Sequence, residues 1–180
     1  WSNDNYGQDL VIAPRGGGIY YWYDATGVAY RAVSLNDAAT TEGFDGDYVP
    51  NTTNQVLASA IQRFVIAMGA NPYTPGTPNT DFDPMLVRWS DQENPYQWVP
   101  DVTNQAGEFR LSNGSYIMTA KATRQEILVW TDSAIYSQQY KVEEPARLLK
   151  TSVATLRLQF YLIQFQVHKK QITSHQIQTT

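Results

Sequence analysis

Along residues 1–140 the apolar positions come in short runs broken by clusters of Gly, Pro, Asn and Asp. That pattern belongs to strands and turns; the three-and-four spacing of a helix face is almost absent. Asp9 to Pro14 (DLVIAP) leads into RGGG and then into GIYYWY, Gly18 to Tyr23. This predicts a strand, a turn carrying Gly16 and Gly17, and a returning strand. RFVIAM (Arg63 to Met68) and PMLVRW (Pro84 to Trp89) form a second pair across a long loop of Pro, Asn, Thr and Asp. EILVW (Glu126 to Trp130), the turn TDSA and IYSQQY (Ile135 to Tyr140) form a third. In FRLSNGSYI, Phe109 to Ile117, Asn113 and Gly114 both tolerate positive φ, so a type I′ turn joining two antiparallel strands is predicted there.

One helix is expected, over Asn54 to Arg63 (NQVLASAIQR), where Val56, Leu57, Ala60 and Ile61 fall at helical spacing. The same stretch fits the approach to a strand. Within residues 147–167, Leu156, Leu158, Phe160 and Leu162 alternate and then shift register to Ile163, Phe165 and Val167. That predicts one long strand with a bulge, or two short strands.

The three pairs repeat one plan, an apolar strand followed by an aromatic-containing strand, with first strands about fifty to sixty residues apart. The spacing is a little long for a propeller blade of roughly 40 to 50 residues and leaves room for inserted loops. The fold class is therefore all-β: a partial β-propeller of antiparallel blades, with a β-sandwich as the alternative. The dense stretch RWSDQENPYQW, Arg88 to Trp98, is expected to turn at Asn94–Pro95 and to pack its rings between layers, with Asp91 and Asn94 satisfying backbone amides. The residues expected to pack are Trp22, Trp89, Tyr96, Trp98 and Trp130.

Composition divides the chain in two. Residues 1–140 hold seven Lys and Arg (13 minus 6) against fifteen Asp and Glu (17 minus 2), whereas residues 141–180 hold six against two. All 11 glycines and all five tryptophans lie in the first part, and both histidines, His168 and His175, in the second. The expected domains are thus a propeller-like segment over 1–140 and an atypical C-terminal segment over 141–180, a separate module or a shifted or truncated reading frame. Beginning at Trp1 without Met, the chain is expected to be a piece of a longer open reading frame. No apolar run approaches the roughly 20 residues of a membrane-spanning helix, and no cysteine offers a disulfide or a thiolate metal site.

Chemistry is sparse. The two histidines sit outside the patterned segment, which disfavours an imidazole-dependent nucleophile, and no phosphate-loop, dinucleotide, HExxH or EF-hand motif occurs. PRGGGI lies between two strands, so its glycines serve a turn rather than a phosphate cradle. Asp91 and Glu93 among Trp89, Tyr96 and Trp98 resemble a sugar cleft in composition, but the intervening turn leaves their separation undefined. Asp81 and Asp83, and the run EGFDGD from Glu42 to Asp47, offer oxygen ligands for calcium with incomplete spacing; solvated acidic loops fit better. The acidic first part disfavours phosphate-backbone binding through a basic patch. No cofactor is expected.

WSNDNYGQDLVIAPRGGGIYYW, RFVIAMGAN, DPMLVRWSDQENPYQWVP, TNQAGEFRLSNGS and TRQEILVWTDSAIYSQQY together resemble the virion structural proteins of tailed bacteriophages, in particular the tail hub or nozzle proteins of short-tailed phages. The likeness covers residues 1 to about 140. It implies a β-propeller that assembles as a homo-oligomeric ring with other tail proteins, made in the host cytoplasm and built into the virion. Such a ring lines the conduit for genome ejection, touches DNA transiently without reading its sequence, and is not an enzyme. Carboxylates facing the conduit would repel phosphates and let the genome slide. From about residue 141 the sequence departs from this pattern. The alternative from another class is a carbohydrate-binding or carbohydrate-active β-propeller whose groove is lined by the aromatic residues near 20–23 and 89–98.

Overall fold

The computed structural model describes residues 1–79, 81–124, 126–140 and 163–167. The expected C-terminal segment lies outside the described residues except for one strand, so its status as module or shifted frame does too.

Among the described residues twelve strands form three antiparallel sheets of four, each built from consecutive strands. The first sheet holds β1 (Ser2–Tyr6), β2 (Asp9–Ala13), β3 (Tyr20–Trp22) and β4 (Val33–Ser34). The second holds β5 (Thr53–Ala58), β6 (Val65–Ala70), β7 (Asp83–Trp89) and β8 (Gly107–Arg110). The third holds β9 (Ile117–Ala122), β10 (Ile127–Thr131), β11 (Ile135–Tyr140) and β12 (Ile163–Val167). Each predicted strand pair is the central pair of one sheet: β2 with β3, β6 with β7, β10 with β11. One helix, α1 (Leu35–Thr41), follows the first sheet. The all-β class is observed.

The sheets stack in chain order around two cores. Val11, Ala13, Tyr21, Leu35, Val56, Val65, Ala67 and Trp98 pack between the first sheet with α1 and one side of the second sheet. Ile66, Met68, Met85, Val87, Trp89, Ile117, Ile127, Val129 and Tyr136 pack between its other side and the third sheet. Every residue of β6 is therefore buried, Val65 and Ala67 to one side, Ile66 and Met68 to the other. A strand covered on both faces reads as a continuous apolar run, which is why RFVIAM shows no alternation. The first strands of successive sheets adjoin, β1 beside β5 and β5 beside β9.

Two sequence expectations are corrected. The stretch from Asn54 to Arg63 is not a helix: it is β5 followed by a tight hairpin in which Ala58 faces Val65. Val56 and Ala58 enter the first core while Leu57 enters the second, a period of two. Ile61, needed for a helical apolar face, is 69% exposed. Burial between two sheets outweighs the weak local preference for helix.

Nor do Asn113 and Gly114 join a hairpin. The strands flanking them belong to different sheets, β8 pairing with β7 and β9 with β10. Asn113 does not take positive φ. Its N–H donates to the Tyr136 hydroxyl at 2.6 Å, and its carbonyl accepts from Thr131 Oγ1 at 3.0 Å. Gly114 is required by proximity: a Cβ there would lie 2.6 Å from Asp132 Oδ1. The β10–β11 hairpin thus captures the polar groups that a type I′ turn would have turned on itself. At Gly16 the turn expectation stands, with φ 75 and the Gly17 N–H donating to Pro14 O at 3.0 Å. The turn is also pinned to β5, through Gly16 N to Thr53 O and Thr53 N to Gly17 O, both 2.8 Å.

Candidate functional site

The Arg88–Trp98 stretch leaves the end of β7 and folds back over the first core. Arg88 is 1% exposed, and its guanidinium ties three separate loops. Nη1 donates to Asn71 O at 3.0 Å, and Nη2 to Tyr48 O at 3.0 Å and Trp98 O at 3.1 Å. Glu108 Oε2 lies 3.6 Å from Nε while accepting the Tyr73 N–H at 2.7 Å. The Trp98 ring sits 5.9 Å from the guanidinium. Burial lowers the Arg88 pKa to about 10, opposed by the Glu108 charge, so the group stays protonated at neutral pH.

Trp98 is fully buried, its Nε1 donating to Pro95 O at 2.8 Å. Trp89 is buried in the second core, with Nε1 donating to Gln105 O at 2.7 Å. Tyr96 packs on the first core against Tyr21 and stacks on Phe44, with centroids 5.8 and 6.2 Å apart. Tyr6, Tyr21 and Tyr23 complete this aromatic cluster. Burial raises the pKa of Tyr6 to about 12, with Arg63 over its ring opposing. Burial also raises Tyr21, helped by the hydrogen bond its hydroxyl donates to Asp9 Oδ2 at 2.7 Å, and Tyr96, helped by Tyr23. Trp22 and Trp130 lie elsewhere, half-buried on the first and third sheets.

Asp91 is engaged by the backbone of its own loop. Asp91 Oδ1 accepts the N–H groups of Gln92 at 2.8 Å and Gln105 at 2.7 Å, holding the loop, as Asn94 Oδ1 does by accepting the Tyr96 N–H at 3.0 Å. Glu93 is exposed, with φ 57. Of the acidic loops, Asp83 is engaged by Arg110 Nε at 2.6 Å and the Met85 N–H at 2.9 Å. Among the described residues no group of three His, Cys, Asp or Glu is placed to hold a metal, and no helix is long and apolar enough to cross a membrane.

Two concave features remain. An open, polar groove of about 670 Å³ runs along the three first strands, its charged lining side chains being Asp4, Arg15 and Lys121. Side chains bridge the strands along it. Ser2 Oγ accepts the Val56 N–H at 2.9 Å, and Asp4 Oδ2 accepts that of Ala58 at 3.0 Å. Gln55 bonds both backbone groups of Ala120 at 2.8 Å. Polar SNDNY carried no strand signal in the sequence because Ser2 and Asp4 serve a neighbouring strand edge and, of the five residues, Tyr6 alone enters a core. A smaller cavity of about 440 Å³ opens between the β5–β6 and β9–β10 turns, lined by Ile61, Phe64, Ile66 and Ile127. The buried Gln138 Oε1 has no hydrogen-bond partner there.

No family model, no curated protein and no solved structure matches the chain.

Proposed function

We propose that this chain is a structural element of a tailed-bacteriophage tail, a β-propeller-type body that works by assembly around a conduit rather than by catalysis. The observation that carries the reading is the arrangement of three consecutive four-stranded sheets with β1, β5 and β9 side by side. Blades about an axis place their first strands in that way, and the groove along those strands is then the axial side. The ordered sequence motifs that resemble tail hub and nozzle proteins supply the phage part of the proposal. Aromatic bulk supports it as well, since Trp89 and Trp98 fill the spaces between sheets. The charges on the groove are Asp4, Arg15 and Lys121, so an acidic, phosphate-repelling surface would have to lie on another face of the assembled ring.

The test is immunogold electron microscopy of tailed particles whose genome carries this sequence, with antibodies raised against the 180-residue chain. Label on the tails of purified particles is expected. Absence from purified particles, or retention of the chain on polysaccharides that is lost on Asp91→Ala, would overturn the reading.

A further inference from the structure

Asn113–Gly114 is the one Asn-Gly step in the sequence. The chemistry of such a step lies between two atoms that the covalent chain keeps close, the side-chain carbonyl carbon of the asparagine and the backbone nitrogen of the next residue. With glycine second, no Cβ shields that nitrogen. The fold demands the glycine: a Cβ at position 114 would lie 2.6 Å from Asp132 Oδ1 and 2.8 Å from Thr131 Cβ.

The same peptide is gripped at its carbonyl. Asn113 O accepts from Thr131 Oγ1 at 3.0 Å and from the Tyr136 hydroxyl at 3.2 Å, while the Asn113 N–H donates to that hydroxyl at 2.6 Å. Donors on an amide oxygen stabilise the negative charge which that oxygen carries once the amide nitrogen loses its proton. The Gly114 N–H is thereby made more acidic, and its deprotonated nitrogen is the nucleophile of this step. The reacting groups themselves are left free: among the described residues no hydrogen bond holds the Gly114 N–H or the Asn113 side-chain amide. Gly114 and Ser115 are exposed, so water reaches them.

We infer that Asn113 is a self-modification site, at which the folded chain converts its own asparagine through a cyclic imide to an aspartyl or isoaspartyl residue. The Gly114 nitrogen bonds to Asn113 Cγ, the bond from Cγ to the side-chain nitrogen breaks, and that nitrogen leaves as ammonia with the proton that Gly114 lost. Water then opens the ring. Cleavage of the new Cγ–N bond restores the main chain with a carboxylate on the side chain; cleavage of the original C–N bond routes the main chain through Cβ and Cγ. On either route one ammonia leaves and one water enters. Both products add a negative charge to a loop where Asp132 already accepts the Ser115 N–H at 2.8 Å. The isoaspartyl product also lengthens the main chain by one atom and shifts the groups that Thr131 and Tyr136 hold. The site thus loosens, with age, the tie between the loop after β8 and the β10–β11 hairpin, whatever the chain assembles with.

Ageing of the full 180-residue chain at neutral pH, folded in one sample and unfolded in guanidinium chloride in another, tests the inference. Mass spectrometry of the tryptic peptide from Leu111 to Lys121 reads amide-to-acid conversion at Asn113, and methyl transfer by an isoaspartyl methyltransferase reads the isoaspartyl share. The expected rate is about tenfold higher in the folded chain, the worth of one hydrogen bond to a charged group. Thr131→Val, which removes a donor and keeps the shape, and Tyr136→Phe are each expected to lose most of that excess when folded and to change nothing in denaturant. Circular dichroism checks that each variant folds, and the folded-to-unfolded ratio of the wild-type chain decides the matter if neither does. A folded rate no higher than the unfolded one, or an excess that survives both substitutions, overturns the inference.

Discussion

The side-chain amide of Gln55 bonds Ala120 as a neighbouring strand would: Nε2 donates to the Ala120 carbonyl and Oε1 accepts the Ala120 N–H, each at 2.8 Å. One side chain therefore satisfies both backbone groups of a residue on the next sheet, without any ladder between β5 and β9. Unpaired strand edges are sites of aggregation, and side-chain cover of this kind blunts them.

Replacing that amide separates the hydrogen bonds from the packing. Gln55→Leu keeps bulk but strands both Ala120 groups, so a loss of about 1–3 kcal/mol in urea unfolding is expected. Gln55→Glu places a carboxylate against the Ala120 carbonyl, where only the protonated acid can donate. Its folded pKa is raised above the unfolded ~4.3, so this variant is most stable below pH ~4.3 and loses that increment as pH rises through the folded value. Equal pH profiles for wild type and Gln55→Glu would contradict the assigned geometry.

Arg88 holds the loops ending at Tyr48, Asn71 and Trp98 with three bonds of 3.0–3.1 Å. Arg88→Met removes the guanidinium's bonds to three carbonyls, those to Asn71 and Trp98 being buried, and a loss of about 3–5 kcal/mol is expected from the urea midpoint. Arg88→Lys keeps the charge but lacks the planar fork, so an intermediate loss of about 1–3 kcal/mol is expected. A variant as stable as wild type would show that the fork is dispensable.

What the sequence disclosed follows from how local each cause is. The central strand pairs were legible because β2, β6 and β10 are dense apolar runs bounded by turn residues. β1 was not, because Ser2 and Asp4 act on a strand 54 residues away. Asn113 and Gly114 misled for the same reason: the hydrogen-bond partners of Asn113 and the neighbouring Ser115, which are Thr131, Tyr136 and Asp132, come from the following hairpin. α1 has seven residues and buries only Leu35, Ala38 and Ala39, too little to leave a periodic signal. The Arg88–Trp98 corner was legible as packing, through Trp89 and Trp98. The role of Arg88 itself depends on three loops that no local pattern connects.

Glu93 gives a prediction of opposite sign to a catalytic role. It is exposed and held at φ 57, a left-handed conformation that costs a side-chain-bearing residue about 1–2 kcal/mol. Glu93→Gly removes that cost and adds back part of it as unfolded-chain entropy, so a gain of about 0.5–1 kcal/mol is expected by thermal unfolding. Asp91→Ala, which frees the N–H groups of Gln92 and Gln105, should instead lose about 1–2 kcal/mol. Destabilisation by Glu93→Gly would mean that its carboxylate has a structural partner.

At the alkaline end two opposed effects meet. A tyrosine whose folded pKa is raised binds its proton more tightly when folded than when unfolded, so it contributes stability fully below its unfolded pKa and loses it as pH rises through the folded value. Tyr6, raised from 10.0 to about 12, does this between those limits, and Tyr21 and Tyr96, also raised, act in the same direction. Arg88 works the other way: its folded pKa of about 10 lies below that of the free side chain, so the folded state sheds its proton first and gains relative stability across that interval. Three groups against one leave a net fall in stability above pH 10. Absorbance at 295 nm should therefore show the exposed tyrosines ionising first, with the three clustered ones ionising together at higher pH in step with loss of the circular dichroism signal. Tyr21→Phe discards one hydroxyl bonded to Asp9 and one late-ionising group, so its alkaline transition should be shallower while its neutral-pH stability falls by about 1 kcal/mol. Ionisation of all tyrosines in a single step near pH 10, with the fold intact, would contradict the buried cluster.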